Sequence, residues 1–89
     1  MKAVRIENYA LREKLSAKAA VLEYLRKGKT AAAVAGAMKD AVTGERTGVE
    51  YTWLMDDVYT WSTELIYHVE KYDCQLPRDF LTHIESRIN

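Results

Sequence analysis

Cysteine is nearly missing from the chain. Cys74 stands alone among 89 residues, which rules out an intrachain disulfide and a multi-cysteine zinc site and fits a reducing compartment. Long apolar runs are missing too: no stretch approaches the ~18 to 20 consecutive apolar residues that cross a bilayer. The charged start over residues 1 to 5 leads into no apolar signal-peptide core. The expectation is a soluble, cytoplasmic protein with no membrane contact. Proline occurs once and glycine four times, so the chain is neither collagen-like nor a flexible linker. Net charge is also absent, since thirteen basic residues balance thirteen acidic ones.

What is present is a globular composition, 48% hydrophobic and 29% charged. It suits one domain over residues 1 to 89 with few residues to spare for an enclosed active site. The zero charge hides a division. Residues 1 to 48 carry ten Lys or Arg against five Asp or Glu, hence +5, while residues 49 to 89 carry three against eight, hence −5. All eleven alanines fall between positions 3 and 41, and seven of the nine aromatics fall after position 50. Equal and opposite halves can face each other within one fold or across a dimer, and a basic half can also mark a nucleic-acid surface.

Apolar spacing reads as helix almost throughout. Leu11, Leu15, Ala19, Leu22 and Leu25 form one stripe between positions 5 and 27, with Ser16 as a cap that would split it and Gly28 as its stop. Thr30 would cap a short alanine helix over 31 to 42. Tyr51, Leu54, Val58, Trp61, Leu65, His68 and Tyr72 alternate steps of three and four, which predicts a long aromatic-rich helix over 49 to 72. The competing reading is a β-hairpin over 49 to 62 turning at Asp56 and Asp57, because Thr, Tyr, Trp and Val crowd that segment. Pro77 opens a terminal helix carrying Phe80, Leu81, Ile84 and Ile88. The expected fold is all-α, a small bundle of four to five helices.

Chemical motifs are fragmentary. Gly28, Lys29 and Thr30 imitate the end of a phosphate-binding loop, but Glu23 stands where the earlier glycine is needed. A helix-turn-helix can be laid over residues 28 to 47, although Gly44 and Glu45 spoil its second helix. Glu50, Asp56, Asp57, Glu64 and Glu70 would share one stripe of the long helix. Glu64, His68, Cys74 and His83 are too scattered to read as a metal site. No nucleophile or oxyanion loop accompanies the Glu64 and His68 pair, and no cation near Cys74 would activate its thiol.

These features point to a non-enzymatic protein without cofactor, metal or catalytic residue. It would be a homodimer acting through protein contacts of the long helix. Trp53, Tyr59, Trp61 and Tyr67 would anchor the partner, and Asp56, Asp57 and Glu64 would steer its basic surface. Small size and helical composition also suit regulators of phage or mobile elements, inhibitors of host enzymes among them. A second reading is a DNA-binding transcriptional regulator using Lys14, Lys18, Arg26, Lys27, Lys29, Lys39 and Arg46. A third is a structural subunit of a larger assembly.

Overall fold

Seven elements follow one another in the computed structural model, which describes residues 1 to 88. They are β1 (Lys2–Val4), α1 (Lys18–Arg26), β2 (Lys29–Lys39), β3 (Arg46–Met55), β4 (Tyr59–Ser62), α2 (Thr63–Tyr72) and α3 (Arg78–Ile88). The four strands make one sheet in the order β1-β4-β3-β2. β1 runs parallel to β4, and the other two pairings are antiparallel. The all-α bundle is therefore overturned: the fold is mixed α/β, with three helices and a four-stranded sheet.

The long helix over 49 to 72 resolves into β3, β4 and α2, and the hairpin reading describes its first part. β-branched and aromatic residues crowd this stretch and fit a pleated surface better than a helix. Asp56 makes the turn, its Oδ1 accepting from the N–H groups of Val58 at 2.8 Å and Tyr59 at 2.7 Å. Helix begins only after Ser62, whose hydroxyl accepts from the Leu65 N–H. The misleading helical period has a simple origin. Leu54 and Trp61, seven residues apart, are cross-strand partners, and a tight hairpin can reproduce a heptad spacing.

The alanine helix over 31 to 42 is instead β2. Alanine favours helix by only a few tenths of a kcal/mol per residue over most alternatives. Pairing with β3 outweighs that preference by satisfying backbone groups along both strands. Gly36, at φ +108°, takes a conformation that glycine tolerates and other residues rarely adopt. The β2–β3 register slips between Thr30 and Ala32, between Val34 and Ala37, and between Ala37 and Lys39; such irregularities bend and twist a hairpin.

The first predicted helix shrinks to α1. Residues 11 to 13 run beside the 73–75 connector, with Glu13 N–H donating to Asp73 O at 2.8 Å and Gln75 N–H to Leu11 O at 3.0 Å. Leu11 is 51% exposed, outside the stripe assigned to it, and no side chain caps α1. Gly28 does end that helix, and Arg78 opens α3 one residue after Pro77.

One apolar core unites Val4, Leu54 and Trp61 of the sheet with Val21, Leu22 and Leu25 of α1, Leu65, Ile66 and Val69 of α2, and Phe80, Leu81 and Ile84 of α3. Strand alternation turns the intervening residues to the opposite face. There the register aligns Ala3, Thr60, Met55 and Lys29 in one row, Ser62, Trp53 and Ala32 in the next, and Tyr51 with Val34 beyond. Apart from Ser62, every one of these is exposed or half-buried.

Gly28 lets α1 close on the sheet. A Cβ there would come within 2.8 Å of the Trp61 ring and 3.1 Å of the Leu54 Cβ. The indole cannot easily retreat, because its N–H donates to the Leu25 carbonyl at 3.0 Å. Gly28→Ala is expected to cost ~1 to 3 kcal/mol, the usual range for overpacking a core, read from urea unfolding. A loss below about 0.5 kcal/mol, typical of neutral surface changes, would show that this corner relaxes freely.

Candidate binding surface

The anchors expected on one helix are dispersed. Trp61 is 0% exposed and belongs to the core. Tyr59 packs edge-on against Phe80 and His83, and Tyr67 donates to Asp40 at 2.7 Å. Glu64 receives the Tyr9 hydroxyl, and Asp57 holds Arg87 through both oxygens at 2.8 and 3.3 Å. The carboxylate stripe also dissolves: Glu50 lies on β3, Asp56 and Asp57 in the turn, and Glu64 and Glu70 on α2.

The basic candidates separate likewise. Lys18 pairs with Asp73 at 2.7 Å, Arg26 with Glu70, and Lys27 with Glu23 at 2.7 Å. Lys14, Lys29, Lys39 and Arg46 are exposed and belong to none of the salt bridges found among the described residues. The helix-turn-helix is lost because its segment forms the β2–β3 hairpin. Gly28, Lys29 and Thr30 lead from helix into strand, the reverse of the strand-to-helix order that a phosphate-binding loop requires.

Asp40, unremarked in the sequence, organises one polar network. Its side chain is buried at the hairpin loop, where Oδ1 accepts from the N–H groups of Val42 at 2.8 Å and Thr43 at 3.0 Å. Oδ2 accepts the hydroxyls of Tyr72 at 2.6 Å and Tyr67 at 2.7 Å. Burial would raise its pKa, but the Tyr72, Tyr67, Thr43 and Val42 hydrogen bonds outweigh that and hold the carboxyl well below the usual range. Beside it His68, 0% exposed, accepts the Ala41 N–H on Nε2 at 2.9 Å and faces the Glu64 carbonyl with Nδ1 at 2.7 Å. Those two partners fix the proton on Nδ1. The signal that would have found Asp40 is its turn chemistry, an aspartate four residues before Gly44.

A second network surrounds Asp56, whose Oδ2 takes the Tyr24 hydroxyl at 2.5 Å and His83 Nε2 at 2.7 Å. Here too burial is overcome, by hydrogen bonds from Tyr24, the Tyr59 and Val58 backbone and His83, and the carboxyl is held low. Burial and donation to Asp56 push the Tyr24 hydroxyl up to about 12. One donor atom each from Asp56, Asp57 and His83 lies within 4.8 Å of the other two, beside a cavity of about 570 Å³. These groups are already matched internally, by Tyr24, His83 and Arg87, so the arrangement reads as a closed hydrogen-bonded network. The scattered metal candidates do not converge: Glu64, His68 and Cys74 lie around Tyr9, while His83 joins Asp56. Burial pushes the Cys74 thiol up, which keeps it unreactive.

The helix-free sheet face is the remaining arrangement. Tyr51 and Trp53, two apart on β3, stand with ring centroids 6.3 Å apart and planes 27° from parallel. The Arg5 guanidinium lies 4.9 Å from the centre of the Trp53 ring, a cation–π contact. Trp53 was legible as an anchor in the sequence; Tyr51 and Arg5 were not, because both pairings depend on strand geometry. Together, the aromatic clusters and the salt-bridge network are consistent with a protein-interaction surface. No protein-family model, curated protein or solved structure matches the chain. No helix among the described residues is long and apolar enough to cross a membrane.

Asp40 and Asp56 make stability depend on acid. Their folded carboxyls bind fewer protons than unfolded ones, whose ordinary value is 3.8. The stability they contribute is therefore complete above that value and is lost as pH falls through and below it. Asp40→Asn should lower the urea midpoint at neutral pH, and its difference from the native chain should shrink below about pH 4. A difference that stays constant with pH would remove Asp40 from the acid response.

Proposed function

We propose that the chain is a non-catalytic binding domain whose contact surface is the helix-free face of the sheet. The observation that carries this is Trp53, a large side chain kept half-exposed beside Tyr51 and Arg5 rather than buried. Aromatic side chains with arginine dominate binding hot spots because they bury much area at little conformational cost. The non-catalytic part is supported by the way Asp56, His83 and Tyr24 spend their hydrogen bonds on one another, with no nucleophile beside them.

The partner differs in sign from the one expected of an acidic helix. Asp56, Asp57 and Glu64 are engaged within the chain, whereas the residues that the register places on the sheet face include Lys29 and no carboxylate, and Arg5 lies over Trp53. A negatively charged partner with flat or apolar groups complements that face, and the chain would regulate or recruit such a partner by contact alone. Dimerisation through a long aromatic helix is not available to a chain in which that helix is absent.

Immobilised native chain, a Trp53→Ala variant and a Val42→Ser control on the hairpin loop should separate the possibilities. Trp53→Ala should weaken partner retention by about tenfold or more, as truncating a hot spot does, while the control retains it. Equal retention by all three would remove the sheet face as the contact surface.

A further inference from the structure

We propose that the helix-free sheet face binds single-stranded nucleic acid, with Trp53 and Tyr51 as stacking platforms for bases and Arg5 and Lys29 as phosphate contacts. This rests on the reading of that face as the contact surface and adds the chemistry of its occupant.

Three observations favour this occupant. The first is the ring geometry. Trp53 and Tyr51 repeat along one strand, 6.3 Å apart and 27° from parallel. Their cross-strand neighbours Ala32 and Val34 are smaller than the rings, and both rings stay half-exposed. Every base offers a π-face, so such a pair stacks bases without needing a shaped pocket in the partner.

The second is charge. None of the residues that the register places on this face is acidic, and Arg5 and Lys29 flank the aromatic pair. Arg5 already lies against Trp53, where a guanidinium can meet a phosphate while staying stacked.

The third is shape. A duplex groove is entered by a helix or a protruding ribbon, and here α1 and α3 pack on the other side of the sheet, against Trp61. A shallow sheet face suits unpaired bases, as in single-strand-binding sheets generally.

The chain holds two tryptophans in different settings, and this makes the test specific. Oligothymidylate and oligouridylate of about ten nucleotides, within the site size of one small single-strand-binding fold, are titrated into the purified chain at low salt. Stacking on Trp53 should quench tryptophan emission. The emission left in Trp53→Ala comes from buried Trp61 and should not respond. By anisotropy of the labelled oligonucleotide, Trp53→Ala and Tyr51→Ala should each weaken binding about tenfold, from the loss of one stacked base. Two phosphate contacts imply a log–log salt slope of about −1.4, and Arg5→Glu with Lys29→Glu should abolish most of it.

If circular dichroism shows that an aromatic variant is unfolded, the two charge variants, which lie outside the core, carry the test. The proposal is overturned if neither oligonucleotide binds, or if binding survives both the aromatic and the charge variants. It is also overturned if polyglutamate quenches Trp53 as strongly at equal concentration, which would identify an acidic protein as the occupant. A rise in mass by light scattering that shields Trp53 without ligand would instead identify a second copy. In these last two cases the face remains a contact surface and only its occupant changes; loss of the face itself would appear as retention by Trp53→Ala in the capture experiment.

Discussion

The position of Trp61 constrains everything else in the molecule. Its indole is wholly buried, and its N–H donates to the Leu25 carbonyl at the end of α1. That bond satisfies a buried donor together with a carbonyl near the helix end, where intrahelical partners run out. The ring lies 6.2 Å from Tyr24 and 5.4 Å from Phe80, while its backbone stands opposite Val4 and Leu54. One side chain thus ties the middle of the sheet to α1 and α3. It also sets the parity of β3: with Leu54 facing inward across from Trp61, Trp53 and Met55 must face outward. A slip of one residue would bury Trp53 and expose Leu54, so the composition of the open face follows from the register of the core.

The opposite charges of the two halves meet inside the molecule where Lys18 and Arg26 of the basic half hold Asp73 and Glu70 of the acidic one. Four of the seven salt bridges among the described residues join one half to the other: Lys18 to Asp73, Arg26 to Glu70, Lys71 to Asp40 and Arg78 to Glu13. These pairs are at least partly exposed and contribute little stability individually. Their larger effect is on what remains. The turn and α2 carboxylates are engaged, whereas several cations of the first half stay outside the salt bridges among the described residues, Lys29 on the open sheet face among them. Asp40 completes the arrangement by holding the far end of the β2–β3 hairpin to Tyr67 and Tyr72 of α2, which fixes the hairpin at its tip as well as at its base.

Legibility in the sequence followed the locality of each signal. α3 was readable from Pro77, Phe80, Leu81 and Ile84, and the end of α1 from Gly28, because caps and stops act within a few residues. The stretch over 49 to 72 misled because a hairpin pairing of Leu54 with Trp61 and a helical face through Leu65, His68 and Tyr72 happen to share one periodicity. β2 was hidden by alanine, whose helix preference is real but small against pairing with a neighbouring strand. Of the site, Trp53 was visible as an excess aromatic. Tyr51 falls on the helical stripe with Leu54 and Trp61, and Arg5 meets Trp53 only because β1 runs beside β4. Asp40 left only a local turn signature, since its Tyr67 and Tyr72 partners lie across the fold.

β2 shows why the face, rather than the edge, is the proposed contact surface. Ten of its eleven residues are exposed, and it lies at the sheet margin, the usual place for unwanted strand pairing. Two devices oppose that pairing. Register slips on both sides of the Ala32 to Val34 stretch break any long straight run of free backbone groups, and Lys29 and Lys39 stand at the two ends. The alanines between them satisfy a different demand. A larger β-branched residue would strengthen the strand, but in place of Ala32, opposite Trp53, it would stand against the ring. Ala32 gives up strand propensity and leaves Trp53 half-exposed, which is the cost expected of a strand placed beside the proposed contact surface.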